Sequence, residues 1–220
     1  MMAPRVKEDN LSFLRKIKIP IMLLYYRIEK KEFSWISLDN TQGARMAVEH
    51  LIGLGHKHIG FIGGDREYES NAKDRYIGYQ LALKSAGITE KTELVQHGYF
   101  DFGFGREAAH KILNLPEHQR PTALFCATDT IAFGVLEKAK ELGVKIPKQL
   151  SVVGFDDYVQ AASSEPPLTT IRQPFYDIGR TGVEALESII RDPKHKPRQI
   201  LIRPELVVRK STAPPESDGR

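Results

Sequence analysis

The chain has little that could cross-link it internally or hold it in a membrane. It has one cysteine, Cys126, among 220 residues, which excludes an internal disulfide and a zinc site built from several cysteines. The longest apolar run, residues 19–26, contains a proline and is far too short to span a bilayer. The N-terminus carries no apolar signal-peptide core. We therefore expect a cytoplasmic protein without a membrane partner, in which Cys126 is a small core residue.

Charge of one sign is not concentrated anywhere in the sequence. The formal net charge is +4 and the isoelectric point is about 9.0. However, lysine and arginine never form a block of five, and acidic residues are interspersed among them. Chains that bind nucleic acid usually show a basic cluster or stripe. The basic balance alone is therefore weak evidence for such a partner, and solvated helix faces account for it.

The common catalytic motifs are also missing. The sequence has no G-x-S-x-G, no GxxxxGK[ST] and no HExxH, and Gly60, Gly63 and Gly64 lack the spacing of a dinucleotide-binding loop. His56 and His58 have a spacing found in metal sites, but no third ligand lies nearby in the sequence. We therefore predict a protein that binds its ligand without altering it, with no catalytic residue, no metal and no cofactor.

What the sequence does contain is a repeated alternation of strand and helix patterns. Short apolar runs such as residues 59–64 and 122–127 show little polar alternation, which is typical of strands buried on both faces. The amphipathic segments between the strands end at glycines, among them Gly55, Gly87 and Gly143. This alternation predicts an α/β fold with parallel, doubly wound sheets.

The predicted elements follow one another along most of the chain. Asn40 or Thr41 is expected to cap the first helix of the series. The tail after residue 213 is rich in proline and serine and is expected to be disordered. Strands are predicted at residues 21–26, 35–39, 59–64, 94–100, 122–127, 151–157, 199–202 and 205–209, and helices over about 41–52, 71–86, 105–113, 131–142 and 175–191.

Polar or aromatic side chains stand where the predicted strands end. Asp156 and Asp157 end one buried run abruptly, and Arg75 lies just inside the helix that follows another. Ligands of open α/β sheets bind beyond the carboxyl ends of the strands. Carboxylates accept hydrogen bonds from hydroxyls, and a guanidinium can bridge two oxygens. The sequence therefore favours a site for a polyol or sugar, with the strand-end residues Asp39, Asp65, Phe100, Thr128, Asp129, Asp156 and Asp157 as candidates.

Each of these residues also has a purely structural interpretation. Asp129 can cap the helix that follows it, Phe100 can belong to the core, and Arg75 can form a surface ion pair. Asp156 is harder to explain in this way, because a carboxylate at the end of a buried strand needs partners. The sequence leaves these alternatives open.

Several motifs, in a fixed order, resemble one family of bacterial regulators. Together they look like the effector-sensing core of the lactose/galactose repressor (LacI/GalR) family of transcription regulators, and the resemblance covers about residues 11–215. The motifs are residues 38–64 (LDNTQGARMAVEHLIGLGHKHIGFIGG), R-x-x-G-Y at 75–79, residues 121–157, PPLTTIRQP at 166–174 and PELVVRKSTAPP at 204–215.

The resemblance implies a periplasmic-binding-protein-like fold of two lobes, the first of them incomplete. The first lobe would contain residues 1–54 and 174–202, the second 55–173 and 203–213, and residues 214–220 would form a disordered tail. A small effector, sugar-like or alternatively a purine, would bind between the lobes and change the affinity of a homodimer for operator DNA. The family's effector contacts fall on Arg75, Asp156, Phe100, Thr128, Asp129 and, as a weaker match, Asn71; a dimer contact falls on Phe133, which can equally be a core residue.

The sequence departs from the family pattern in two places. Many sugar-responsive members have asparagine where this chain has Thr128. Threonine lacks the side-chain amide that can form two hydrogen bonds to a ligand at once, so the effector stays unidentified. The chain also begins near the family's third strand, so we expect it to lack the helix-turn-helix and to be unable to bind an operator unaided. The alternatives are a transport-type sugar-binding protein, disfavoured by the missing signal peptide, and an enzyme on the same fold, disfavoured by the missing motifs.

Overall fold

Two β-sheets of different size organise the chain. The computed structural model describes residues 14, 16–27, 32–65, 70–192 and 196–216. Within these residues, the smaller sheet has the strand order β1-β2-β8, with β1 at Met22–Leu24, β2 at Ser34–Leu38 and β8 at Gln199–Ile202. The larger sheet has the order β4-β3-β5-β6-β7-β9, with β3 at Ile59–Gly64, β4 at Val95–Gly98, β5 at Ala123–Cys126, β6 at Ser151–Asp156, β7 at Thr169–Arg172 and β9 at Glu205–Val207.

The strands are parallel apart from one edge of the larger sheet. There β9 runs antiparallel to β7, with Leu206 opposite Ile171. Only residues 203 and 204 separate β8 from β9, so no crossover helix intervenes. The predicted α/β fold with parallel sheets is confirmed, with this edge as an exception. The helices are α1 (Asn40–Gly53), α2 (Ser70–Ser85), α3 (Phe102–Leu113), α4 (Asp129–Glu141), α5 (Val159–Ser163) and α6 (Phe175–Arg191).

Helices cover both faces of the larger sheet. On one face, Val48 of α1 packs in the same buried cluster as Phe61 of β3. On the other face, Val135 of α4 packs in a second cluster with Leu124 of β5. Strands β5 and β6 are consequently buried along their whole length, which is the burial that their lack of polar alternation predicted.

Helix α1 packs on the larger sheet, and this differs from the predicted lobe boundary. Its close approach to α2 requires Gly78, where a Cβ atom would lie 2.3 Å from the carbonyl oxygen of Thr41. Gly43 of α1 similarly lies against the ring of Phe155. The smaller sheet is covered instead by α6, in which Gly182 contacts Leu24 of β1. The prediction grouped residues 40–54 with the smaller sheet, and their packing contradicts that grouping.

Three local features also differ from the sequence-based expectation. Asp39, and not Asn40 or Thr41, caps α1, because its carboxylate accepts a hydrogen bond from the Gln42 backbone N–H at 3.0 Å. Strand β7 and helix α5 were not predicted, since both are short. Residues 214–216 of the expected disordered tail are placed, with Pro215 beside Gly55. Residues 217–220 lie outside the described part of the chain.

Buried polar side chains fasten the end of the chain to the larger sheet. Ser211 is fully buried and accepts a hydrogen bond from the Thr169 N–H (2.8 Å) while it donates to the Val152 carbonyl (2.6 Å). His56 is also buried and bonds to the side chain of Ser151 and the carbonyl of Ala213. Burial lowers its pKa. His56 therefore has a structural role.

The described residues contain no group of three or more His, Cys, Asp or Glu side chains that could hold a metal ion. In the same part of the chain, every helix is too short or too polar to cross a bilayer.

Candidate functional site

Arg75 and Asp156 meet at the carboxyl edge of the larger sheet. Both side chains are almost completely buried, and Arg75 Nη1 lies 3.6 Å from Asp156 Oδ1. Removing two charges from water is costly unless further hydrogen bonds satisfy their polar atoms. Arg75 has such bonds, because Nε donates to Asn40 Oδ1 (2.8 Å) and Nη1 donates to the carbonyl of Ala127 (2.5 Å). The pair is therefore held in a defined geometry.

Two phenylalanine rings flank the Arg75 guanidinium. Its central carbon lies 3.7 Å from the centroid of the Phe155 ring and 5.9 Å from that of Phe100. Both distances are within the range of a cation–π contact. Phe100 also packs against the apolar clusters on both faces of the larger sheet. The core and site interpretations of Phe100 are thus compatible with each other.

The backbone at Asp156 and Asp157 is unusual and is held by several contacts. Their φ angles are 130° and 56°, in a region that non-glycine residues adopt at a cost of about 1–3 kcal/mol each. Asp157 forms ion pairs with Arg172 (2.7 Å) and Arg209 (2.6 Å). The side-chain amide of Gln173 donates to Asp156 Oδ1, and its backbone N–H donates to the Asp156 carbonyl at 3.1 Å. These bonds hold the backbone and the carboxyl of Asp156 in place.

Burial sets the protonation of the site. It raises the pKa of Asp156 to about 7, although the charge of Arg75 and hydrogen bonds from Gln173 and Tyr158 oppose the shift. The charge of Asp156, together with burial, raises the pKa of Tyr158 to about 12. Burial likewise raises the pKa of Asp129 to about 6. Near neutral pH the Asp156 carboxyl can therefore either accept or donate a hydrogen bond.

Thr128 and Asp129 lie beside the pair but are engaged in the fold. The Thr128 hydroxyl accepts a hydrogen bond from the Ile131 N–H at 3.1 Å, so Thr128 caps α4. Asp129 is fully buried, and its two oxygens accept from the Thr170 hydroxyl (2.5 Å) and the Tyr158 N–H (2.8 Å). The capping role considered for Asp129 thus belongs to Thr128. Asp129 instead positions the backbone of Tyr158.

Asn71 belongs to a chain of amides that the sequence analysis identified only in part. It donates to the carbonyl of Tyr25 (3.1 Å), and its Oδ1 accepts from Asn40 Nδ2 (3.1 Å). Asn40 is buried and holds Arg75 directly. Asn40 directly follows Asp39 at the end of a predicted strand, so the strand-end rule could also have identified it. No comparable pattern in the sequence points to Gln173.

Three aromatic rings near Asp156 were also missed. Phe175 stacks on Tyr158, with centroids 5.9 Å apart and planes at 15°, and its ring lies 6.0 Å from that of Tyr25. The charge of Asp156 contributes, after burial, to a raised pKa of Tyr25. The three rings come from three distant segments, so no local pattern connects them. Each is partly exposed and can therefore offer a ring face to a ligand.

Phe133 lies apart from this group. Its side chain is partly buried in α4 and packs against the cluster between the larger sheet and helices α3 and α4. The core interpretation therefore accounts for part of its surface. Its role as a dimer contact stays a prediction.

The geometry can be compared with known proteins. A family model described as a periplasmic binding protein-like domain matches residues 48–212. Over 214 residues the chain is 33% identical to the HTH-type transcriptional repressor PurR of Aliivibrio fischeri, and the match covers 97% of this chain and 63% of that protein. The chain thus spans less than two thirds of that relative's length.

Solved structures agree with this assignment. A regulatory protein of the LacI family from Chloroflexus aggregans superimposes with a TM-score of 0.86 at 33% identity, covering 93% of this chain and 72% of that one. A LacI family transcriptional regulator from Enterococcus faecium, with bound ribose, gives 0.85 at 26% identity, covering 95% and 77%. Members of this group are transcription regulators and not enzymes. The chain belongs to the family of periplasmic binding protein-like domains, and within it to the effector-binding domains of the LacI type.

Proposed function

We propose that the chain binds a small hydroxylated effector, a sugar or sugar derivative, at the Arg75–Asp156 pair. The observation that carries the proposal is the burial of this pair at the edge where parallel strands end. The Asp156 carboxyl can accept hydrogen bonds from ligand hydroxyls, and Arg75 can donate to ligand oxygens. Phe100 and the partly exposed rings of Tyr158 and Phe175 suit the apolar faces of a sugar ring.

The other candidate residues have supporting roles in this proposal. Asn71 steadies Asn40, which in turn holds Arg75. Thr128 starts α4, and Asp129 places Tyr158. The ribose in the Enterococcus faecium structure belongs to that protein, and it supports a sugar-like ligand class here.

Binding at this site is expected to release protons near neutral pH. Hydroxyl donors stabilise the charged form of a carboxyl and so lower its pKa. Because burial raises the pKa of Asp156 to about 7 in the ligand-free chain, a ligand that donates to it would bind more tightly as the pH rises through this value.

We further infer that the chain is the ligand-sensing part of a transcription regulator. The curated relative is a repressor of which this chain spans 63%, so DNA binding is a proposed property of the whole protein. The effector would favour one placement of the two sheets relative to each other and so change operator affinity, a coupling of typically about 1–3 kcal/mol. The corresponding lobes would be residues 22–39 with 174–202 and residues 40–173 with 205–213. The regulator would act as a homodimer, with Phe133 as a candidate contact.

A thermal-shift screen tests the ligand class. Wild type, Arg75→Met and Asp156→Asn are heated with D-ribose, other pentoses and hexoses, and purine bases. A sugar present at 100 times its Kd should stabilise the wild type by about 2.7 kcal/mol. This corresponds to a rise in Tm of about 5–10 °C for a chain of this size. Both variants should lose most of that rise.

The matched controls are Arg106→Met, at a surface ion pair with Glu137 and Glu141, and Asp101→Asn, at the exposed N-cap of α3. Both controls should keep the full shift. Equal shifts in all five proteins would show that the sugar binds elsewhere. Stabilisation by purine bases and by no sugar would replace the proposed ligand class.

A further inference from the structure

We propose that Asn40 and Gln173 are positioning residues that couple the geometry of the effector site to the placement of the two sheets. The inference rests on the proposed function, since it concerns the residues that would hold the effector. Asn40 lies where the chain passes from β2 of the smaller sheet to α1 on the larger sheet. Gln173 lies where it returns from β7 of the larger sheet to α6 on the smaller one.

The amide of Asn40 can adopt only one orientation. Nδ2 donates to the carbonyl of Leu38 (3.1 Å) and to Asn71 Oδ1 (3.1 Å), and Oδ1 accepts from Arg75 Nε (2.8 Å). A flipped amide would turn its NH2 group toward the Arg75 N–H, which has no acceptor to offer. The direction of the Arg75 guanidinium therefore depends on the backbone at the end of β2.

Gln173 holds Asp156 at two points. Its side-chain amide donates to Asp156 Oδ1, and its backbone N–H donates to the Asp156 carbonyl. The side chain is buried, so water does not readily replace it. Two residues later the chain enters α6 at Phe175. A shift of α6 relative to the larger sheet would consequently move the donor that aims the Asp156 carboxyl.

Together these contacts form a continuous polar relay, defined here as Asn71, Asn40, Arg75, Asp156 and Gln173. At one end Asn71 donates to the carbonyl of Tyr25, which directly follows β1. At the other end Gln173 leads into Phe175, whose ring contacts that of Tyr25. The relay thus starts and finishes at the smaller sheet, while its two charged members lie in α2 and β6 on the larger one. A ligand that reorients Arg75 and Asp156 must strain or re-form bonds at both crossings.

Pulsed electron spin resonance measures the predicted coupling directly. Spin labels are placed at Lys111→Cys in α3 and Glu187→Cys in α6, which are exposed positions on helices of the two sheets. The native thiol, Cys126, is fully buried. Without ligand, the wild type should give a narrow distance distribution. Asn40→Ala and Gln173→Ala should broaden it and weaken D-ribose binding by about tenfold or more.

The matched controls are Asn114→Ala and Gln160→Ala, at exposed positions away from the crossings. They should leave both the distances and the D-ribose affinity unchanged. If Asn40→Ala does not fold, Asn40→Asp takes its place. The aspartate keeps an acceptor for Arg75 but loses both donors, so the same broadening is expected.

A pH experiment separates positioning from simple loss of packing. In Gln173→Glu, two carboxyls face each other and can share one proton at pH 5, whereas at pH 8 both are charged and repel. The distance distribution of this variant should resemble that of the wild type at pH 5 and should broaden at pH 8. The distribution of Gln173→Leu should be broad at both pH values. The other titratable or charged groups that act on Asp156 are Arg75 from α2, Asp129 from α4, Tyr158 and Tyr25, and these are common to both variants.

The outcomes distinguish this inference from the proposed function. If the distance distributions of the Asn40 and Gln173 variants are as narrow as that of the wild type, the inference is overturned, whether or not D-ribose binds. Broadened distances in the variants, with no D-ribose binding by the wild type, would support the inference and count against the sugar. D-ribose binding of equal strength in the wild type and all variants would overturn the inference and leave the proposed function intact.

Discussion

The buried carboxyl of Asp156 should make the stability of the protein fall as the pH rises from about 4 to about 7. Burial raises its pKa from the ordinary value of 3.8 to about 7. Within this window the folded chain keeps a proton that the unfolded chain has lost, so the free energy of unfolding decreases with increasing pH. Asp156→Asn replaces the carboxyl with a neutral amide of the same shape and should abolish this contribution.

The expected magnitude follows from the width of the window. One pKa unit corresponds to about 1.4 kcal/mol, and the folded carboxyl begins to lose its proton as the pH nears 7, so between pH 5 and pH 7 the wild type should lose about 2 kcal/mol relative to Asp156→Asn. The side chain is almost fully buried, which leaves little solvent screening to discount. His56 acts in the opposite direction, because burial lowers its pKa and stability is then lost as the pH falls below its ordinary value of 6.5. Both proteins contain His56, so its contribution cancels when their free energies of unfolding are subtracted.

Urea unfolding at pH 5, 6, 7 and 8 provides the measurement. The single tryptophan, Trp35, is buried in β2 of the smaller sheet and reports on that part by fluorescence, while circular dichroism reports on the helices. Asp101→Asn is the control, because it makes the same exchange at the N-cap of α3, where asparagine caps a helix as well as aspartate does.

A difference between wild type and Asp156→Asn that stays constant from pH 5 to pH 8 would refute this reasoning. So would a wild type that gains stability relative to the variant as the pH rises. A constant difference would mean that the charge of Arg75 outweighs burial and keeps Asp156 ionised throughout.

Two paired substitutions test the packing that positions the site. Gly78→Ala should lower the free energy of unfolding by about 1–3 kcal/mol, because its Cβ would lie 2.3 Å from the Thr41 carbonyl oxygen. The Cβ of Gly179→Ala would have no atom within 4 Å, so this substitution should raise the free energy of unfolding by about 0.5–1 kcal/mol. Urea titration measures both, and equal effects would contradict the α1–α2 packing. Ser211→Ala should cost about 1–3 kcal/mol because it leaves a buried N–H without its acceptor, whereas the exposed Ser163→Ala should change calorimetric stability by less than about 0.5 kcal/mol.

Much of the architecture could be predicted because the relevant signals are local. Strand β3 was predicted with its observed bounds from the apolar run at residues 59–64, and α6 from the periodicity that begins after Pro174. The strand-end rule also brought Arg75 and Asp156 into one group, since parallel strands place their carboxyl ends at one edge. The pair does lie together, 3.6 Å apart.

The partners of these elements could not be predicted in the same way. The apolar stripe of α1 indicates that one face is buried, but not which sheet buries it, and the predicted boundary at residue 54 was wrong for this reason. Asp129 and Thr128 likewise look equivalent in sequence. Only their distant partners, Thr170 and the N–H of Tyr158 for Asp129, show that Asp129 is occupied within the fold.

Local sequence signals specified the alternation of strands and helices, the sheet edge at which polar groups collect, and the resemblance to one family. All three are properties of short segments, in which spacing and residue type carry the information. Tertiary packing alone established that Asn40 and Gln173 hold the two charged residues, and that the rings of Tyr25, Tyr158 and Phe175 come together. Those contacts join residues far apart in the sequence, as between Tyr25 and Phe175, and such a contact depends on where the folded chain places its two ends, which no local pattern specifies.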